Sequence, residues 1–189
     1  PPGPWLQPLP TEETLSNGVR LLRMHLPGQE VISARLMVPV TLADEERVHE
    51  GVSVMMARLL DEGAGDLDAE AFAAALERHG AALGASAVEG GLSVDLDVPV
   101  RHLSGALRLM ADAVGRPPFP EEEVRRVLRN RLAEIDYETA SAPHRAGREL
   151  IATLWDPASR AARPAAGMPS TIGALTRSAI VERHAALAA

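Results

Sequence analysis

The chain has 189 residues, 46% of them apolar and 24% charged, with a net charge of −7. This is a globular composition with a sizeable core, which excludes a disordered tail, a fibrous repeat or a disulfide miniprotein. The absence of cysteine excludes a disulfide framework, a thiolate zinc finger, an iron–sulfur cluster and a cysteine nucleophile.

Residues 1–10 (PPGPWLQPLP) are too rich in proline for a helix or a central strand and read as an extended arm. Asn17-Gly18 lies between two short apolar-containing runs, a strong hairpin signal because both turn residues tolerate positive φ. Residues 31–40 (VISARLMVPV) are apolar enough for a central strand, with Pro39 marking an edge or a strand end. Residues 43–50 form an acidic lead-in to a helix over 51–60, where Val52, Met55, Met56, Leu59 and Leu60 fall at helical spacing.

A second helix over 68–80 carries Phe72 and Leu76 and stops at a glycine. Residues 82–88 and 92–98 then alternate around Glu89-Gly90-Gly91 as a second hairpin. Leu92, Val94, Leu96 and Val98 share one face, with Ser93, Asp95 and Asp97 on the other, which reads as a solvated sheet face. Helices follow over 103–114, 121–139 and 144–154, the second opened by Glu121-Glu122-Glu123, carboxylates suited to a helix N-terminus. Residues 160–173 read as a Pro/Gly/Ala loop unlikely to pack by itself, and Thr176 as the N-cap of a last helix to residue 186. Strands, two helices, a hairpin and further helices in that order predict an α+β fold in two layers.

Taken alone, the chemical inventory is poor. Six histidines are scattered with no i,i+4 pair, and there is no Gly-x-Ser-x-Gly elbow or phosphate-binding glycine loop. Every basic residue is an arginine, no basic stripe offsets the acidic balance, and only Trp5, Phe72, Phe119, Tyr137 and Trp155 are aromatic. Nucleic acid is therefore not an expected partner. No apolar run approaches the ~20 residues needed to span a bilayer. The opening shows no signal-peptide pattern, although it begins at Pro1 and not at methionine, and a cytoplasmic location is expected.

Seven motifs in order resemble one half of a pitrilysin/insulinase-type zinc metallopeptidase, the inverzincin family that includes processing peptidases. They are Leu15-Ser16-Asn17-Gly18-Val19-Arg20, the strand at 31–40, Glu50-Gly51-Val52, Leu76-Glu77-Arg78-His79-Gly80-Ala81, residues 116–123 (RPPFPEEE), Ala133-Glu134-Ile135, and residues 172–180 (IGALTRSAI). The likeness covers about residues 11–186. It implies a single domain over 11–189, with a mostly antiparallel sheet on one side and helices on the other, lacking the strand expected after the last helix.

The resemblance breaks at the metal site. Active members carry His-x-x-Glu-His on the first helix: two zinc ligands one turn apart and a glutamate that activates the bound water. The corresponding positions here are Val54, Ala57 and Arg58. Val and Ala have no donor atom, and Arg stays cationic. Glu134 stands where the family's third ligand belongs, so the family predicts that Arg58 faces it as an ion pair in place of the metal. The family's peptide-binding edge maps to Leu83, Gly84, Ala85, Ser86, Ala87 and Val88, with Gly84-Ala85 where Asn-Ala is usual.

The resemblance thus implies a non-catalytic module or subunit, without zinc of its own, that binds or encloses peptide for a partner module in a homo- or hetero-oligomer. Two alternatives remain open at this point. One is an active metalloendopeptidase with non-standard ligands, such as Glu134 with His49 or His79. The other is a purely structural assembly subunit.

Overall fold

A computed structural model describes residues 8–188. The expected arm at residues 1–10, with Trp5, lies largely outside them. The chain divides between Val31 and Ile32 into two compact units.

The first unit holds an antiparallel hairpin, β1 (Thr11–Thr14) with β2 (Arg20–Arg23), in register Thr11 to Arg23 and Thr14 to Arg20. Its turn differs from the expected form. The Leu15 amide donates to the Val19 carbonyl (2.8 Å) and the Gly18 amide to the Leu15 carbonyl (2.9 Å). Only Gly18 takes positive φ (+85°). Asn17 instead accepts the Val19 amide on its side chain (3.2 Å), an Asx-type turn.

The second unit is a three-stranded sheet with helices against it. β3 (Val31–Val38), β6 (Ala82–Val88) and β7 (Gly91–Pro99) stand in the order β3-β7-β6. Among the described residues β3 is an outer strand, the alternative that Pro39 signalled, and β7 lies between β3 and β6. The apolar run at 31–40 alternates between exposed and half-buried residues and ends at Val38, where the Val40 amide bonds the Val38 carbonyl across Pro39. In β7, Leu92, Val94, Leu96 and Val98 are all buried. The opposite face carries Arg35–Asp95 (2.6 Å) and a Ser33 hydroxyl donating to Asp97, cross-strand pairs that fix β3 on β7. A Cβ on Gly91 would lie 2.0 Å from the Val38 carbonyl oxygen, so only glycine allows this approach.

The helical layer begins with α1 (Val52–Arg58), whose Met55 and Met56, with Leu59 and Leu60 just beyond, are buried with the β7 residues in one core. A two-stranded ribbon, β4 (Gly63–Ala64) and β5 (Leu67–Asp68), leads into α2 (Ala69–His79), capped by the Asp68 side chain and stopped by Gly80 at φ +59°. Phe72 fills a second small core with Ala64 and Ala113. α3 (Leu103–Gly115), α4 (Glu121–Ala140) and α5 (Ala142–Leu154) follow as predicted, α5 starting two residues early because Pro143 suits its first turn. α6 (Pro169–Ala174) and α7 (Arg177–Ala185) close the unit, with the Thr176 hydroxyl capping α7.

The loop expected at 160–173 is helical in part. Residues 169–174 form α6, and Ile172 is 1% exposed. Gly167, at φ +74°, lies against Gly51, where a Cβ on Gly51 would meet Gly167 Cα at 2.9 Å. A single short turn gives little helical periodicity, so its burial could not be read in advance.

Candidate functional site

α1 is held at its N-terminal end. Gly51, at φ +99°, precedes it without a side-chain cap of its own. The Glu45 carboxylate does that work from six residues upstream, accepting the amides of Gly51 (3.2 Å) and Ser53 (2.9 Å). Glu45 has a fully buried side chain and is paired with Arg160 at 3.0 Å. Next to it, Arg163 pairs with Glu50 at 2.7 Å. From α7, Arg183 donates to the Ser53 hydroxyl (2.8 Å) and the Thr41 carbonyl (2.5 Å).

On the helix so fixed, Val54 and Arg58 lie one turn apart and half-exposed, and Ala57 is buried at 2% exposure. Across from them, α4 presents Glu134. Nη1 of Arg58 donates to both of its carboxylate oxygens, at 2.8 and 3.0 Å. The ion pair that the family alignment predicted, across 76 residues, is present.

Sequence reasoning missed the rest of the cluster. Arg131, 4% exposed, donates to Glu134 at 3.1 Å and to both oxygens of Glu138 at 2.6 and 3.1 Å. Its Nε holds the Ala166 carbonyl at 3.0 Å. The available signal was the spacing Arg131-x-x-Glu134-x-x-x-Glu138, which puts all three on one helical face. Arg58–Glu134–Arg131–Glu138 is thus a chain of alternating charge. The Arg58 hydrogen bond, with help from Arg131, holds the Glu134 carboxyl below the usual carboxylate range. The Arg131 bond does the same for Glu138. Burial works against the Arg131 charge, but its bonds to Glu138 and Glu134 outweigh this and leave its pKa raised.

This donor set does not fit zinc. A catalytic zinc site needs three protein ligands and an open position; of the family's ligand positions only Glu134 carries a suitable donor, and it is already engaged by two cations. No group of three or more His, Cys, Asp or Glu residues able to hold a metal occurs among the described residues. His79 does not turn toward Glu134; its Nδ1 donates to the Ala75 carbonyl (2.8 Å) and its ring meets His102 edge-on. His49 lies beside Glu46 at 3.7 Å. A cleft of about 490 Å³ borders Glu134, with Tyr137, Glu138 and His144 on its walls. A larger cleft of about 790 Å³, lined by Leu42, Ile151 and Met168 among others, includes none of the motif positions.

The segment Leu83, Gly84, Ala85, Ser86, Ala87 and Val88 forms most of β6. Among the described residues β6 pairs only with β7, in register Ala82 to Asp97 through Val88 to Gly91. Leu83, Ala85 and Ala87 are half-buried against the core, while Gly84, Ser86 and Val88 are exposed. The same strand packs on α1, so an open sheet edge and the altered motif helix are neighbours.

A three-stranded sheet with helices against it, and a first helix whose Arg58 faces a carboxylate on α4, define a two-layer α+β module. The model of the insulinase family, peptidase family M16, matches residues 20–162, and the chain belongs to that family. Its fold is that of a peptidase M16 inactive domain from Pseudomonas fluorescens (TM-score 0.86, 24% identity, 93% of this chain and 43% of that one). It is also similar to a protease from Helicobacter pylori (0.83, 20%, 94% and 43%) and to pitrilysin (0.76, 21%, 94% and 19%). The chain spans less than half the length of each of these solved chains. A search of curated proteins found no match. No helix among the described residues is long and apolar enough to cross a membrane.

Proposed function

We propose that this chain is a non-catalytic M16 module that binds extended peptide for cleavage by a metal-bearing partner module, and holds no zinc itself. The Arg58–Glu134 pair is the observation that carries the reading. A guanidinium satisfies the one remaining ligand-type carboxylate, and neither Val54 nor Ala57 offers a donor. Peptide binding rests on the edge of β6. An added strand takes its affinity from backbone hydrogen bonds, so Gly84-Ala85 in place of a larger polar side chain does not abolish the site.

Two measurements test the two halves of this reading. Elemental analysis after dialysis against trace zinc should find near-zero metal; about one zinc per chain would overturn the non-catalytic assignment. A fluorescein-labelled, unstructured casein peptide should bind in an anisotropy titration. The same peptide with alternate amides N-methylated should not, because it cannot pair with a strand edge. Equal binding of the two, or none, would remove the edge from the account.

A further inference from the structure

We infer that Arg58 is a peptide-binding residue whose free guanidinium edge donates to a main-chain carbonyl of the bound strand. This deepens the peptide-binding reading and rests on it. The guanidinium is oriented by its bonds to Glu134, yet both use Nη1 alone. Nε and Nη2, the fork that matches planar acceptors, have no hydrogen-bond partner among the described residues. The side chain is 37% exposed. Glu134 is also held by Arg131, so its charge is compensated from its own helix as well as from Arg58.

Charge selects the ligand. Arg58 and Arg131 carry two positive charges, and Glu134 and Glu138 two negative ones. The cluster is neutral overall. A peptide carboxylate arriving at Arg58 would add an unbalanced negative charge beside Glu134, whereas a carbonyl needs only donors. An extended peptide paired along one strand leaves every second carbonyl turned away from that strand and in want of a donor. α1, the helix that carries Arg58, packs on β6.

The test titrates the labelled casein peptide, C-terminally amidated and as the free acid, against three proteins: wild type, Glu134→Gln, and Arg58→Met/Glu134→Gln. Pairing Arg58→Met with Glu134→Gln avoids exposing a bare carboxylate to the peptide. Thermal unfolding of each variant shows that it is folded. Loss of one charge-assisted hydrogen bond predicts about tenfold weaker binding of the double variant than of Glu134→Gln. Amide and acid should bind alike. Binding of the double variant equal to that of Glu134→Gln overturns the inference while edge binding stands, as judged by the N-methylated peptide. Much tighter binding of the free acid also overturns it, by making the ligand a carboxylate. Failure of wild type to bind either peptide removes the peptide-binding reading and this inference together.

Discussion

Arg160 and Arg163 are paired with carboxylates whose side chains are buried, and the energetics of such pairs are asymmetric. Glu50 is 3% exposed at its side chain and bonded by Arg163 through two nitrogens. Removing the cation leaves an uncompensated buried charge, which costs about 3–5 kcal/mol, while removing both charges together costs far less. Arg163→Met should therefore destabilise strongly in urea melts, and Arg163→Met/Glu50→Gln should recover most of the loss. Equal stability of the single and double variants would mean that Glu50 is solvated without Arg163. The same logic applies to Arg58 and Glu134 with a smaller magnitude, since both are more exposed. Little of this was legible in the sequence. Arg58–Glu134 could be anticipated only through the family motif. Glu45–Arg160 and Glu50–Arg163 join residues 115 and 113 positions apart, and no local pattern announces such partners.

At the scale of elements, legibility followed periodicity. Leu92, Val94, Leu96 and Val98 alternate strictly, and they are the buried face of β7. The stripe of Val52, Met55, Met56, Leu59 and Leu60 is buried as its spacing predicts. At β3 apolar content pointed to a central strand and Pro39 to an edge or strand end; the strand lies outermost in its sheet among the described residues, and its alternating burial reflects one wet face. α6 was hidden because its burial depends on the contact of Gly51 with Gly167, a property of two distant backbone segments. That contact gives a sharp test. Gly51→Ala forces an L-residue to φ +99° and drives its Cβ to 2.9 Å from backbone atoms of Gly167. The backbone conformation alone costs about 1–3 kcal/mol, and the close approach adds to it. The expected outcome is a clearly lowered melting temperature, with α1 amides losing hydrogen-exchange protection first. Gly147→Ala, where a Cβ meets nothing within 4 Å, is the helical control and should be neutral or stabilising. A Gly51→Ala protein as stable as the parent would contradict the described contact.

At the scale of the molecule, the ion pairs set how stability responds to acid. Glu50, Glu134 and Glu138 all have lowered pKa values, chiefly through their hydrogen bonds to Arg163, Arg58 and Arg131 respectively. In mild acid the folded state then binds fewer protons than the unfolded chain. Their stabilisation is complete above the ordinary carboxylate range and is lost as pH falls through that range into the lowered folded-state values. Urea melts across this interval should show stability declining with acid. The slope should flatten when Arg163→Met/Glu50→Gln and Arg58→Met/Glu134→Gln are combined. An unchanged slope would assign the acid sensitivity to other carboxylates.

The cluster between α1 and α4 also bears on how such a chain could change over time. Restoring the family's metal site requires His at 54, Glu at 57 and His at 58. A glutamate at position 57 would bring a carboxylate into a site that is 2% exposed. A histidine at 58 would give up the two bonds that Arg58 makes to Glu134 before a second imidazole was in place to share a zinc ion. These two steps are each unfavourable alone, and the benefit arrives only when all three are made together. On the proposed reading, the Arg58–Glu134 pair and the burial at position 57 make each of these two steps toward the family's motif costly by itself.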